Sequence, residues 1–199
     1  MSALSQTPMT EADYLAFERV SEVKHEFLAG EVFAMTGASR AHNLICVNLI
    51  ALLKNQLRGR SCEIYPSDMR IKVQVTGLYT YPDISVVCGQ AEFGDEHLDT
   101  LLNPTVIFEV LSASTERYDR GRKFQHYREL VSLQEYVLVA QDNPHLERFV
   151  RQAGELWQYR DVQGQDAVLE LTSIKCVLNL AEVYDQVHFS PEADERQSE

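Results

Sequence analysis

Two carboxylates stand in apolar segments of the sequence, where an unpaired charge is costly. Glu109 interrupts the apolar run VIFEVL at positions 106–111, and Asp83 begins a second apolar run directly after a proline. A buried carboxylate needs a cation, a proton or strong hydrogen-bond donors beside it. If the two strands are neighbours, the acids converge, and a hard divalent cation such as Mg²⁺ relieves their repulsion. The pair therefore predicts a metal site.

A lysine follows the second carboxylate on a predicted helix. Asp119, Lys123 and Tyr127 recur at four-residue spacing, which places them on one face of that helix. From its first turns, Lys123 could reach back over Asp83 and Glu109. The order of strand with Asp, strand with Glu and helix with Lys favours a functional interpretation of all three residues.

Taken singly, each residue also has an ordinary structural interpretation. A proline–aspartate pair is common at turns, so Asp83 alone is more often structural. Asp119 and Lys123 alone are typical of a solvated i,i+4 pair. His42, at the start of an amphipathic helix, is more often a satisfied polar residue than a ligand. Glu109 and Lys123 could also form a buried ion pair in a protein that serves only as a scaffold.

The elements that must position these residues follow from hydrophobic periodicity and turn residues. Thr10 and Asp13 predict a capping box, and apolar residues at helical spacing predict a helix over 41–57. Strands are predicted at 25–28, 31–35, 62–65, 69–75, 81–88, 105–111, 136–140, 146–151, 157–160 and 168–171, with a second long helix over 116–130. This order predicts an α/β or α+β fold, with a mixed sheet flanked by helices and a C-terminal β-meander.

Length and composition set the broader expectations. The 199 residues, 45% of them hydrophobic, predict one domain over 1–188 and an acidic, disordered tail over 189–199. No apolar run approaches the roughly 18 residues of a membrane-spanning helix. Residues 1–10 lack the pattern of a secretion signal, so no membrane association and a cytoplasmic location are expected. The four cysteines are widely spaced, and neither a structural zinc site nor a disulfide framework is predicted.

The net charge of −12 argues against broad electrostatic capture of nucleic acid. Five of the eighteen basic residues nevertheless fall between Arg117 and Arg128. Any binding of DNA must therefore be local, or must depend on a bound cation.

Several motifs resemble the Uma2 family in order and approximate spacing. They are HEFLAGE at 25–31, His42 at a helix start, Pro82-Asp83, FEVLS at 108–112, Asp119-x-x-x-Lys123 with Tyr127, and Glu135-Tyr136. The resemblance covers about residues 10–184, and the family is grouped with restriction endonucleases of the PD-(D/E)XK superfamily. The lysine expected two residues after the strand glutamate is replaced by Leu111. In this family the lysine lies on the following helix, which here is Lys123.

This resemblance implies a restriction-endonuclease-like fold and an Mg²⁺- or Mn²⁺-dependent endonuclease acting on DNA. Asp83 and Glu109 would be metal ligands together with the Val110 carbonyl, and Lys123 would assist the base or stabilise developing charge. The supporting residues would be Glu26, His42, Asp119 and Tyr127.

Two further expectations concern assembly and activity. A homodimer is expected, because paired cuts in duplex DNA are commonly made by two-fold dimers. The alternative function is a catalytically silent nuclease-fold protein that serves in binding or assembly.

Overall fold

The structure is a computed structural model that describes residues 8–189, so the predicted tail lies outside the described residues except for Phe189. The helical elements are α1 (Glu11–Glu18), α2 (Arg40–Gln56), α3 (Glu116–Tyr118), a π-helical turn (Asp119–Lys123), α4 (Phe124–Tyr127) and α5 (Leu180–Val183). Within the described part of the chain, no helix combines the length and apolar character needed to cross a bilayer. The predicted capping box opens α1, with Thr10 and Asp13 bonding reciprocally.

Residues 8–189 also form thirteen strands. They are β1 (His25–Leu28), β2 (Glu31–Ala34), β3 (Cys62–Pro66), β4 (Arg70–Val73), β5 (Leu78–Thr80), β6 (Ile84–Cys88), β7 (Thr100–Leu101), β8 (Val106–Val110), β9 (Glu135–Val139), β10 (His145–Arg151), β11 (Trp157–Gln163), β12 (Val168–Leu171) and β13 (Cys176–Asn179).

A six-stranded mixed sheet forms the centre of the molecule, in the order β11-β10-β9-β8-β6-β3. Strands β8 and β9 are parallel, and the other neighbouring pairs are antiparallel. The parallel pair requires a crossover, and the segment from α3 to α4 supplies it. The prediction of a mixed sheet flanked by helices is confirmed.

Alternate residues of the central strands face two separate hydrophobic clusters. On one face, Ile45 and Leu49 of α2 pack against Ile84 and Phe108, together with the β12–β13 hairpin and α5. On the other face, Ile107 packs in a cluster shared with a second, five-stranded sheet of order β2-β1-β5-β4-β7. The segment from α3 to α4 lies on this second face, where Tyr127 is fully buried.

Several predicted boundaries were wrong in physically informative ways. The helix predicted over 116–130 ends at Tyr127 and contains the π-helical turn. The C-terminal meander is formed by β9, β10 and β11, whereas β12 pairs only with β13, a strand that was not predicted. Strands β5 and β7 were also missed, because their three and two residues are too short to show a period.

The expectation that the cysteines form no disulfide was wrong. Cys62 and Cys88 lie opposite each other in the antiparallel register of β3 and β6, with Cα atoms 4.0 Å apart, and they are disulfide-bonded. Cys46 and Cys176 are free. The sequence separation of 26 residues hid this pair, because strand register brings together residues that are distant along the chain.

Candidate active site

The register of β6 and β8 brings the two predicted acids to the same end of the central sheet. Ile84 lies opposite Phe108 in this antiparallel pair. Asp83 directly precedes Ile84, and Glu109 directly follows Phe108, so the two acids are adjacent. The Val110 amide donates a hydrogen bond of 2.7 Å to Asp83 Oδ2. Asp83 precedes the first paired residue of β6, so this hydrogen bond, and not the pleat of the sheet, holds its side chain at the end of β8. The convergence of the two acids required their strands to be neighbours, and β6 and β8 are neighbours.

Glu109 is the buried centre of the cluster. Its Oε1 atom accepts a hydrogen bond of 2.7 Å from the Tyr127 hydroxyl and lies 2.9 Å from Lys123 Nζ. Burial raises the pKa of Glu109 well above its ordinary range, nearby Lys123 opposes that shift, and the negative charges of Asp119 and Asp83 reinforce it. Glu109 is therefore a carboxyl group whose ionisation depends on a compensating positive charge.

The π-helical turn and α4 together place three side chains beside Glu109. Asp119 and Lys123 are its first and last residues, and Tyr127 ends the α-helical turn that follows. A π turn closes with i→i+5 hydrogen bonds and is wider than an α-helical turn. The Tyr136 hydroxyl of β9 donates to the Asp119 carbonyl at 3.1 Å, which ties this turn to the central sheet.

Lys123 faces three carboxylates rather than one. Its ammonium nitrogen lies 3.4 Å from Asp119 Oδ1 and 3.4 Å from Glu26 Oε1, in addition to the contact with Glu109. Burial alone would lower the pKa of Lys123, but the surrounding negative charge, of which Glu109 contributes most, raises it well above its ordinary value. The amine is therefore positively charged at neutral pH.

Glu26 reaches the cluster from the five-stranded sheet. It lies on β1, and the Thr80 hydroxyl of β5 donates a hydrogen bond to its Oε1 atom. Its Oε2 atom is buried and has no hydrogen-bond partner among the described residues. A buried carboxylate oxygen of this kind can accept a further hydrogen bond or bind a cation.

Asp83 is also held from the opposite side of the sheet, by α2. His42 Nε2 lies 3.1 Å from Asp83 Oδ1, and Ser39 caps the helix start by accepting a hydrogen bond from the His42 amide. One helical turn later, Cys46 Sγ lies 3.7 Å from His42 Nδ1. Burial raises the pKa of the Cys46 thiol, and the charges of Asp83 and Glu109 add to the increase.

The cluster contains more acidic than basic groups. Glu26, Glu109 and Asp119 lie within 3.4 Å of the single Lys123 ammonium group. Asp83 approaches Glu109 from the strand beside it, where it accepts a hydrogen bond from the Val110 amide. Burial raises the pKa of Asp119 while Lys123 opposes that shift, so protonation competes with any cation for this site. Mg²⁺ and Mn²⁺ prefer oxygen ligands, and a site with more carboxyl groups than basic groups provides them.

A cavity of about 200 Å³ adjoins the cluster at Glu26. Its polar lining includes Thr115, Tyr118, Arg122 and His126. Arg120, in contrast, is held by Glu116 and Glu147. The basic stretch from 117 to 128 is therefore less available to a ligand than its composition suggested.

The chain matches the Uma2 family model, described as "Putative restriction endonuclease", over residues 11–181. The protein belongs to the Uma2 family. Two uncharacterised proteins of Synechocystis sp. strain PCC 6803 are related to it. Protein sll1609 is 35% identical over 167 residues, covering 84% of this chain and 94% of its own. Protein slr1290 is 38% identical over 162 residues, which cover 81% of this chain and 84% of that protein.

The fold of this Uma2 protein also occurs in a solved structure. The crystal structure of a "putative nuclease belonging to DUF820" from Anabaena variabilis superposes with a TM-score of 0.75. The match covers 91% of this chain and 100% of the other, at 16% sequence identity. It confirms the predicted fold class.

The structure brings every sequence-predicted site residue of this Uma2 protein into one region. Glu26, Asp119 and Tyr127 contact Glu109 or Lys123 directly, while His42 contacts Asp83. Sequence reasoning missed Cys46 and Thr80. The four-residue spacing of His42 and Cys46 on a helix was the available signal for the cysteine, whereas Thr80 lies on a strand too short to predict.

Proposed function

We propose that this Uma2 protein is a metal-dependent endonuclease that hydrolyses phosphodiester bonds of DNA. One observation carries the proposal: a charged Lys123 is buried among three carboxylates, with Asp83 beside Glu109. A fold needs only one acid to neutralise one buried base. The additional acids support a site that is completed by a cation.

Asp83, Glu109 and the Val110 carbonyl would hold Mg²⁺ or Mn²⁺. The surplus of carboxyl groups over the single ammonium group of Lys123 fits such an ion. When bound, the ion would polarise a phosphoryl oxygen and lower the pKa of a water molecule. The Val110 amide and His42 restrain the two oxygens of Asp83, so this ligand is oriented in advance.

Lys123 supplies the protein's own positive charge. Its ammonium group can donate to a phosphoryl oxygen on which negative charge develops during hydrolysis. Asp119 and Glu26 fix the position of the amine, and Tyr127 fixes the oxygen of Glu109 beside it. Groups that are oriented before the substrate arrives need no reorganisation in the transition state.

The interpretation as a structural ion pair accounts for less of this geometry. A scaffold pair of Glu109 and Lys123 needs only one acid, so it gives no reason for Glu26 and Asp119 to be buried beside the same ammonium group. The net charge of the chain, −12, also repels DNA. Arg122 in the adjoining cavity and a bound cation would offset that repulsion locally.

The test is cleavage of supercoiled plasmid in Mg²⁺ or Mn²⁺, with EDTA as the metal-free control. Wild type should nick or linearise the plasmid, whereas Asp83→Asn and Lys123→Ala should be slower by at least about a hundredfold. Asp166→Asn and Lys54→Ala are matched controls at exposed positions and should cut like wild type.

Two results would reject the proposal. Equal nicking by all five proteins would identify a contaminating nuclease, and no nicking by wild type with either ion would favour the catalytically silent alternative. Calorimetric titration with Mn²⁺ separates that alternative further, because a binding module without a metal site gives no heat of binding.

We also propose that two chains associate for cleavage of both DNA strands. The aromatic residues Phe149 and Trp157 of the meander pack on Phe124 within the chain, which leaves Tyr159, half-exposed, as the more accessible of the three. Light scattering of the purified protein measures the assembly directly. A monomeric mass in the presence and absence of DNA would contradict association.

A further inference from the structure

A second set of metal-binding side chains lies on the α2 side of Asp83. His42, Cys46 and Asp83 each offer one ligand atom, and these atoms all lie within 4.8 Å of one another. The three residues are partly buried rather than sealed in the core, so an ion can reach them. The set contains one nitrogen, one sulfur and one oxygen donor.

The three ligand atoms lie close enough together to converge on one ion after a small adjustment of the side chains, since all are within 4.8 Å of one another. With bonds of roughly 2.0–2.3 Å to N, O and S donors, tetrahedral ligands lie roughly 3.3–3.8 Å apart. The imidazole contacts its two neighbours through different nitrogens, at 3.1 Å between His42 Nε2 and Asp83 Oδ1 and 3.7 Å between Cys46 Sγ and His42 Nδ1. A metal takes only one of these nitrogens, so the contact through the other nitrogen is given up when an ion binds.

We propose that His42, Cys46 and Asp83 bind a thiophilic divalent cation of the Zn²⁺ or Co²⁺ type. Three protein ligands leave one tetrahedral position for water or a ligand. Mg²⁺ takes oxygen donors, so a site with sulfur and imidazole nitrogen selects a softer ion. His42 and Cys46 are held in phase because they lie four residues apart on α2, which is 17 residues long.

This site is chemically distinct from the proposed magnesium site but shares Asp83 with it. An ion bound to His42 and Cys46 draws Asp83 Oδ1 towards α2 and adds positive charge beside Glu109. The expected consequence is competition between the two classes of ion. That consequence rests on the proposed nuclease function, whereas the binding of a thiophilic ion does not.

The experiment is a titration of the full chain with Co²⁺, followed by near-ultraviolet and visible absorption. A thiolate ligand produces an intense sulfur-to-cobalt charge-transfer band, which needs no cleavage activity to be seen. Cys46→Ala is the test variant, and Cys176→Ala is the matched control, because Cys176 is the other free cysteine. His42→Ala tests the imidazole, and circular dichroism checks that each variant is folded.

Wild type and Cys176→Ala should bind one equivalent of Co²⁺ with the charge-transfer band. Cys46→Ala should lose the band, and His42→Ala should bind at least about tenfold more weakly. The proposal is overturned if wild type shows no such band, or if the band survives in Cys46→Ala. Because absorption reports binding alone, a protein that shows the band but cuts no DNA refutes the proposed function and leaves this site standing.

Discussion

The Lys123 ammonium nitrogen lies 2.9 Å from Oε1 of Glu109, and neither side chain is more than 6% exposed. Charges removed from water to this degree are stable only when each one is compensated within the protein. Lys123 compensates several carboxylates at once. Its loss should therefore lower the stability of the folded protein, and the binding of a cation should raise it.

We therefore expect Lys123→Ala to be strongly destabilising at neutral pH. Removing one partner of a buried ion pair costs about 3–5 kcal/mol, and here the remaining acids also repel one another. Urea unfolding in EDTA measures the loss. Mg²⁺ should restore part of it, and the exposed control Lys54→Ala should change stability by less than about 0.5 kcal/mol. A Lys123→Ala protein as stable as Lys54→Ala would contradict the buried charge cluster.

The metal-free protein should lose stability as the pH rises above the ordinary carboxyl range. Burial raises the pKa of Glu109 above its usual 4.5, so the folded chain binds this proton more tightly than the unfolded chain does. The contribution of Glu109 to the free energy of unfolding is complete below pH 4.5. It declines as the pH rises towards the pKa of Glu109 in the folded protein. The raised pKa of Lys123 acts only above 10.5, outside this range.

Glu109→Gln provides the matched comparison, because it cannot ionise. Melting temperatures in EDTA between about pH 5 and 8 should fall more steeply for wild type than for this variant. Mg²⁺ should stabilise wild type increasingly as the pH rises, since the ion binds the ionised carboxylate. Parallel pH profiles for the two proteins in EDTA would refute the assignment of a raised pKa to Glu109.

Tyr127→Phe should weaken the cluster without altering its charge. The variant removes the hydroxyl that donates to Glu109 Oε1, and the loss of a buried hydrogen bond to such a group costs about 1–3 kcal/mol. Tyr159→Phe is the control, because its hydroxyl donates to Glu147 from a half-exposed ring. Equal effects of the two substitutions on urea unfolding would show that the Tyr127 hydroxyl contributes nothing specific.

A thiol assay should find two reactive cysteines in the unfolded, unreduced protein and four after reduction. Cys46 and Cys176 are the free pair, and Cys62 is joined to Cys88. Reduction should lower the free energy of unfolding by about 2–4 kcal/mol, because the bond closes a loop in the unfolded chain. A Cys62→Ser, Cys88→Ser double variant should be insensitive to reductant. Four reactive thiols before reduction would refute the bond.

Zn²⁺ should inhibit Mg²⁺-dependent cleavage of plasmid if the two ions compete for Asp83. Cys46→Ala should resist the inhibition and Cys176→Ala should not, when cleavage is measured across a series of Zn²⁺ concentrations. Equal inhibition of both variants would place the inhibitory ion elsewhere. Calorimetry with Zn²⁺ in the absence of DNA separates binding from inhibition.

The proximity of Asp83 and Glu109 could be predicted from the sequence, because the apolar segments around each acid are a local pattern. Glu109 interrupts one apolar strand and Asp83 directly precedes another, and burial makes an uncompensated charge there unfavourable. Lys123 could be assigned for a similar reason, since helical spacing relates it to Asp119 and Tyr127. The π turn broke the ideal helix without removing these residues from their common face.

Other contacts depended on packing that no local pattern reports. Glu26 meets Lys123 only because two sheets pack against each other. Cys62 meets Cys88 through a strand register, and His42 meets Asp83 because α2 packs on one face of the central sheet. For Glu26 and His42, the resemblance to a family supplied the residues, but not their partners.

The origin of Glu26 on β1, in a different sheet from Glu109, has a consequence for the folding chain. Neither sheet alone holds the full set of acids around Lys123, so an intermediate in which only one sheet has formed lacks the assembled pocket. The position of the Lys123 amine therefore depends on the docking of the two sheets, because Glu26 is one of the three acids that fix it. Under the proposed function, a chain in which the sheets have not docked would hold this amine less firmly and would cut more slowly.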